Sequence, residues 1–186
     1  VDQAHPEGLA DPATTGHILV AFGAWVAREL DRIADLVGEP VPEDGVEPGT
    51  WFLAESGRAV TAAQFLAALD GLHAATRGLV GWWQDHDLLL TPTIAELPPT
   101  LGQFTSTPEE PLPGLFRSSP LATFTAPFNI SGQPAISVPL HQSTEGLPIG
   151  MQLVAAPGRE DLLVRVAAQL EAARPWAGRR PGVWAG

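Results

Sequence analysis

Proline is spread unevenly along this sequence, and its distribution divides the chain into parts. Seven of the nineteen prolines in the 186 residues fall between Pro92 and Pro120. Proline has no backbone N–H and holds φ near one value, so such a series interrupts both helices and central strands. We therefore expect residues 92–120 to form a long irregular loop that is more mobile than the helices around it.

Helical periodicity dominates the residues before this proline-rich segment. Residues 1–16 indicate an incoming loop, and apolar residues at helical spacing predict a first helix over His17–Val37. Residues 38–58 are rich in acidic residues and proline, which favours a loop over the surface. A capping-box pattern at Thr61 predicts the start of a second helix, which the apolar spacing continues to Trp83.

Strand patterns flank and follow the proline-rich segment. An apolar run over residues 87–91 predicts a buried strand. Residues 121–130 predict a short helix that its internal proline interrupts. The runs 135–140 and 149–155, joined by a glycine- and serine-bearing turn, predict an antiparallel hairpin. Residues 160–174 predict a last helix with acidic residues in its first turn, which favours the helix dipole.

This order of elements indicates an α/β or α+β fold. Three strands form a sheet too thin to cover the apolar faces of three helices. We therefore expect the isolated chain to expose apolar surface or to bury it by association, and a homo-oligomer is one possible form.

The composition argues against several classes of function. The net charge is −11, from 21 acidic and 10 basic residues, which argues against nucleic acid or an anionic membrane as a partner. The chain has no cysteine, which excludes disulfides and thiolate chemistry, and no apolar run approaches the length of a membrane span. The cytoplasm is the expected location.

The residues that could perform catalysis are few. All ten basic residues are arginine, so no mechanism in this chain can use a lysine side chain. The five histidines show no metal-ligand spacing, and we predict no metal and no cofactor. Residues 85–87, Asp-His-Asp, are interpreted as the polar end of a helix that leads into a strand. His73, beside the apolar side of the second helix, is interpreted as a hydrogen-bonded core histidine.

Ser118 and Ser119 form the one serine pair that suggests a nucleophile. A nucleophilic serine needs a base within hydrogen-bonding distance, and no motif supplies one here. We interpret the pair as loop serines, or as an N-cap for the segment that starts at Pro120.

Three segments, taken in order, resemble the C-terminal part of the amidase signature family of serine hydrolases. They are "DLLLTPTIAELPPTLGQF" (87–104), "FTAPFNISGQPAISVPL" (124–140) and "GLPIGMQLVAAPGREDLLVRVAAQLEAARPW" (146–176). Their order and spacing make the match specific, and bacterial amidases of linear or cyclic amides are the nearest members. The family usually has Thr-Gly where this chain has Ser131-Gly132, a change that keeps the hydroxyl.

The resemblance implies the C-terminal portion of an α/β/α sandwich, in which helices flank a mixed sheet. Residues 1–186 would form the C-terminal part of a single amidase domain. The family's catalytic Ser, its second Ser joined by a cis peptide bond, and its Lys all lie in the N-terminal half, which is absent here. The resemblance therefore implies no catalytic residue in this chain, which would be inactive alone. Its partners would be that N-terminal half and a small-molecule amide substrate.

The resemblance also implies that the central segment forms the wall and floor of the active site. The candidate substrate-binding residues are Phe124, Phe128, Asn129, Gly132 and Gln133. Asn129 and Gln133 are polar groups in apolar surroundings, so each pairs with backbone or meets a substrate. Phe104 and Phe116 are further candidates for the pocket lining, and plain core packing is the other interpretation.

Two other functions compete with an amidase part. One is a stand-alone, non-catalytic interaction domain derived from an amidase, and the other is part of a tRNA-dependent amidotransferase A subunit. The first residue is Val1 and the only methionine is Met151, from which we expect a piece of a longer chain.

Overall fold

The computed structural model describes residues 1–9, 11–180 and 183. Six α-helices and three strands, with two short 3-10 turns, occur within those residues. Their bounds are α1 (Pro12–Val37), α2 (Pro48–Arg58), α3 (Ala62–Gly81), β1 (Leu88–Pro92), α4 (Pro113–Ala122), α5 (Ala126–Ser131), β2 (Ala135–Gln142), β3 (Pro148–Ala155) and α6 (Glu160–Ala173).

The chain forms two compact units. The first consists of Val1–Leu79 with Pro99–Pro120, and the second of Val80–Pro98 with the described residues from Leu121 onward. Each unit has its own hydrophobic core.

Helix α1 begins five residues before its predicted start at His17, so the predicted incoming loop is wrong for residues 12–16. The Asp11 side chain accepts a hydrogen bond from the Ala13 N–H at 2.9 Å. Pro12 lies in the first turn, where a missing N–H costs nothing. The helix ends at Gly38, whose φ of 88° is left-handed.

The predicted surface loop over residues 38–58 is wrong for Pro48–Arg58, which is helix α2. Pro48 lies in its first turn. Leu53 and Ala54 are buried against α1, and these contacts stabilise a helix that composition alone does not indicate. The core of this unit is Val26, Ala27, Leu30, Leu53 and Ala54.

Much of the apolar surface of α1 is left exposed. Trp25 is 53% exposed and stacks on Phe22, with ring centroids 5.7 Å apart. Leu36 and Val37, at the C-terminal end of the helix, are also exposed.

The capping box that predicts the second helix is present at the start of α3. The Gln64 N–H donates to Thr61 Oγ1 at 3.3 Å, and Gln64 Oε1 accepts from the Thr61 N–H at 2.9 Å. Gly71 packs so closely on His17 of α1 that a Cβ atom would overlap the imidazole ring. Close packing explains this glycine, but a Cβ at Gly78 would meet no atom within 4 Å.

The prediction that residues 92–120 are irregular is right for 93–112. It is wrong for Pro92, the last residue of β1, and for residues 113–120, which belong to α4. Pro113 is the first residue of the helix, a position that proline tolerates, and Pro120 lies within its second half. The start of α4 is fixed by the Gly114 N–H, which donates to Ser106 Oγ at 3.0 Å.

The three strands form one antiparallel sheet in the order β1-β3-β2. The predicted hairpin of β2 and β3 is confirmed. Helix α6 packs on one face of β2 and β3, and the core there is Val138, Leu153, Ala155, Leu163 and Ala167. The chain is thus of the mixed α/β class.

Strand β2 continues to Gln142, two residues past the end of the predicted run 135–140. Its pairing with β3 shifts between Val138 and His141, so Pro139 lies in an irregular stretch where a ladder hydrogen bond is not required. None of the helices in the described part of the chain is long and apolar enough to span a membrane.

Candidate functional site

The segment predicted to line the pocket is built around the short helix α5. Pro127 lies in the first turn, and the helix ends at Gly132, whose N–H donates to the Phe128 carbonyl at 2.9 Å. The φ of Gly132 is 67°, which is left-handed, so any side chain at this position would be strained. The glycine therefore fixes the direction in which the chain leaves α5 and enters β2.

The five candidate residues differ in their exposure. Phe128 is buried and Phe124 is half-buried, whereas Asn129 and Gly132 are exposed. Gln133 is only 6% exposed. The segment therefore has an inner side that anchors it and an outer side that a ligand can reach.

Gln133 is held by hydrogen bonds to two side chains, and not to the backbone as one interpretation of its sequence context had it. Its Oε1 accepts a hydrogen bond from the Trp83 indole N–H. Its Nε2 donates to Ser131 Oγ at 2.7 Å. Trp83 lies two residues after Gly81, the last residue of α3, and this bond joins Trp83 to the residues after α5. Because the amide is buried, both bonds are needed to offset its desolvation.

Gln152 of β3 is a second buried amide that sequence analysis missed. It is 4% exposed, and its Nε2 donates to the Phe124 carbonyl at 2.7 Å and to Thr91 Oγ1 at 3.1 Å. Thr91 is the cross-strand neighbour of Gln152. The residues before α5 are thereby fixed to the sheet. A polar residue inside the apolar run 149–155 was the only available signal.

A hydroxyl pair lies on the same face of the sheet as Gln152. Thr93 Oγ1 and Ser137 Oγ are 2.6 Å apart. Both lie over Gly150, where a Cβ atom would come within 2.7 Å of Thr93 Oγ1 and 2.8 Å of Ser137 Oγ. Gly150 therefore makes room for this pair.

The remaining candidates are explained by ordinary structure. Ser118 is in helix α4, not in a loop or at an N-cap as predicted, and its hydroxyl donates to the Leu115 carbonyl at 2.7 Å. Ser119 lies in the same helix. His73 is exposed, so its interpretation as a core histidine is wrong. His86 stacks on Trp82, with centroids 3.9 Å apart.

Two further findings concern the other predicted groups. Across residues 1–9, 11–180 and 183, no cluster of three His, Asp or Glu side chains could hold a metal ion. Phe116, a candidate pocket lining, is largely exposed. Phe104 lies under the Arg117 guanidinium, whose Cζ is 5.4 Å from the centroid of the phenyl ring. Both belong to the first unit.

Comparisons with known proteins place these features in a family. The sequence model described as "Amidase" matches residues 8–164. The 6-aminohexanoate-cyclic-dimer hydrolases of Pseudomonas sp. (strain NK87) and Paenarthrobacter ureafaciens are each 41% identical to the chain over 97% of its length. The chain spans 38% of the length of these relatives.

Solved structures give the same grouping. The structure of a 6-aminohexanoate cyclic dimer hydrolase superimposes with a TM-score of 0.91 at 40% identity, covering 98% of this chain and 39% of that one. A bacterial aryl acylamidase of the amidase signature enzymes superimposes with a TM-score of 0.69 at 21% identity, covering 93% of this chain and 38% of that one, which indicates a shared fold.

Proposed function

The chain belongs to the amidase family, and from that premise we propose that it is the C-terminal part of an amidase domain that hydrolyses carbon–nitrogen bonds of amides through an acyl-serine intermediate. The observation that carries the proposal is the agreement along almost the whole chain with hydrolases of a cyclic amide. The chain spans 38% of the length of those relatives, so the larger portion of their length has no counterpart in these 186 residues.

The chemical step belongs to that larger portion. This chain has no lysine, so a serine here cannot be activated by the lysine relay that the family resemblance implies. The hydroxyl of Ser118 is committed to a backbone carbonyl of its own helix. The isolated 186 residues therefore hydrolyse neither amides nor esters.

The contribution of this chain is the substrate side of the pocket. Asn129 and Gly132, on the exposed side of α5, meet the amide substrate. Phe124, bonded through its carbonyl to Gln152, and Gln133, bonded to Trp83, hold that side in place, together with the buried Phe128. A wall anchored by buried amides keeps its geometry when the substrate arrives, which favours orientation of the scissile bond.

An exposed leucine on strand β1 supports the presence of further helices or strands in the complete domain. Leu90 of β1 is on the face that α6 covers, yet it is 51% exposed, since α6 packs on β2 and β3. Its neighbour Leu89, on the opposite face, is 4% exposed. A strand that is apolar on both faces is typical of the interior of a larger sheet with helices on both sides. The remainder of the amidase domain covers Leu90.

A chimera tests this proposal. In the Paenarthrobacter ureafaciens hydrolase, the part that matches this chain is replaced by this chain, and release of primary amine from 6-aminohexanoate cyclic dimer is followed. We expect turnover by the chimera and none by the chain alone. The matched control is the same chimera with Gly132→Val, which strains the left-handed turn after α5. It should lower kcat/KM while the chimera stays folded.

Two outcomes would overturn the proposal. One is hydrolysis by the isolated chain that Ser118→Ala or Ser119→Ala abolishes, which would make that pair the site. The other is a folded chimera without activity on the cyclic dimer or on a series of linear aliphatic and aryl amides, which would favour a non-catalytic domain.

A further inference from the structure

We infer that a cavity on the β2–β3 hairpin binds a small organic acid through its carboxylate. The cavity has a volume of about 540 Å³ and lies between the hairpin and the residues that follow α6. The side chains that the argument uses are His141 and Gln142 of β2, and Trp176, Arg179 and Arg180 after α6. We call it the arginine cavity. It is independent of catalysis and of the proposed function.

The charge of the arginine cavity is opposite to that of the chain. Acidic residues outnumber arginines by 21 to 10 in the sequence. In the described part of the chain, the cavity is nevertheless lined by two arginines and a histidine and by no carboxylate. A concave site lined by one sign of charge concentrates ligands of the opposite sign.

Arg179 is positioned by the irregular stretch of β2. One of its Nη1 hydrogens donates to the Pro139 carbonyl at 2.9 Å, where the pairing of β2 with β3 is shifted. This bond holds the half-buried guanidinium at the cavity wall and leaves further N–H donors. Arg179 forms no ion pair with any residue that the structure describes. A fixed guanidinium with donors remaining is suited to bidentate binding of a carboxylate.

Arg180 adds a second positive charge beside the first. Its Nη1 donates to the carbonyls of Ala177 and Arg179, so the side chain folds back along its own segment. His141 and Gln142 supply polar groups from the hairpin side. An anion in the cavity would therefore be contacted from both walls.

The apolar wall distinguishes an organic acid from an inorganic anion. Trp176 lines the cavity and packs against the core between α6 and the sheet, so its ring is fixed. Proline rings of the hairpin also line it. A ligand with a carboxylate head and an aliphatic or aromatic body would contact both kinds of wall, whereas phosphate would use the arginines alone.

The test is a titration of the ¹⁵N-labelled 186-residue chain, followed by the amide and indole NMR signals. The probes are hexanoate, benzoate, inorganic phosphate and hexanamide, the neutral match of hexanoate. We expect saturable shifts of Trp176 and the hairpin with both carboxylates, weaker binding of phosphate and none of hexanamide. Arg179→Gln should weaken hexanoate binding by at least about tenfold.

The control and the opposing outcomes are defined by the same signals. Arg174→Gln removes an exposed arginine that does not line the cavity, and it should leave binding unchanged. If Arg179→Gln disturbs the hairpin spectrum, Arg180→Gln gives the decisive comparison. Three results would overturn the proposal. They are binding of hexanamide equal to that of hexanoate, an equal loss of hexanoate affinity in Arg179→Gln and in the control Arg174→Gln, and no saturation with any carboxylate. Tighter binding of phosphate than of hexanoate would overturn the assignment to organic acids. Since no turnover is measured, neither result depends on the amidase activity.

Discussion

Gly57 of α2 and Gly23 of α1 are in backbone contact, because a Cβ atom added to Gly57 would overlap the Gly23 carbonyl oxygen. A Cβ on Gly23 would in turn lie 3.2 Å from the Leu53 carbonyl oxygen. The two helices therefore approach more closely than side chains would allow. This approach buries Ala54 completely and completes the core of the first unit.

The first prediction is that Gly57→Ala destabilises the chain. The added methyl group forces α1 and α2 apart, and overpacking of this kind costs about 1–3 kcal/mol. The free energy of unfolding is measured by urea denaturation. Gly78→Ala in α3 is the control, since its Cβ meets no atom within 4 Å. It should stabilise the chain by up to about 1 kcal/mol. Destabilisation of equal size by both changes would contradict the packing argument.

The second prediction concerns the bond between Trp83 and Gln133. Trp83→Phe leaves the buried Gln133 oxygen without its donor, which costs about 1–3 kcal/mol. Gln133→Leu leaves the indole N–H without its acceptor. The double variant removes both polar groups, so we expect it to cost less than the sum of the single changes. Urea denaturation of all three variants measures this difference, and strict additivity would contradict the proposed coupling.

The elements that could be predicted from sequence are those with long or regular patterns. The spacing of Val26 and Leu30 located the buried side of α1, and the Thr61 box located the start of α3. Helix α2 was missed because it has only eleven residues and its stability depends on contact with α1. Helix α4 was missed because its prolines were read as breakers, although Pro113 starts the helix.

The candidate site also contains residues that a local pattern indicates and residues whose role depends on contacts between distant segments. Gly132 and its neighbours are contiguous, so a local pattern could identify them. Gln152 could not be assigned a role, because it joins Thr91, 61 residues away, and Phe124, 28 residues away. Only the register of β1 on β3 brings the first pair together. The second depends on how the residues before α5 pack on the sheet.

The third prediction concerns Asp161 in the first turn of α6. The hydrogen bond from Arg159 lowers the pKa of this carboxyl below 3.8, with help from the Leu162 N–H and Arg165. Because the folded-state pKa is lowered, the stabilising contribution is present above the unfolded pKa and is lost as pH falls through the folded value. Arg159→Gln should raise the pKa of Asp161 towards 3.8, measured by NMR titration of its carboxyl carbon. Arg174→Gln, after the end of α6, should not change it.

The fourth prediction separates Leu89 from Leu90, which point to opposite faces of β1. Leu89 is 4% exposed, so Leu89→Ala in the isolated chain should cost about 2–5 kcal/mol. Leu90 is 51% exposed, so Leu90→Ala should cost less than about 1 kcal/mol there. Under the proposed function, the rest of the domain would cover Leu90 in the hydrolase chimera, and both changes should then lower the melting temperature by comparable amounts. The ratio of the two effects, measured in the chain and in the chimera, therefore reports whether the rest of the domain covers this face of β1. A Leu90→Ala chimera as stable as its parent would show that this face of β1 stays uncovered, and it would contradict the proposal that this chain is one part of a larger domain.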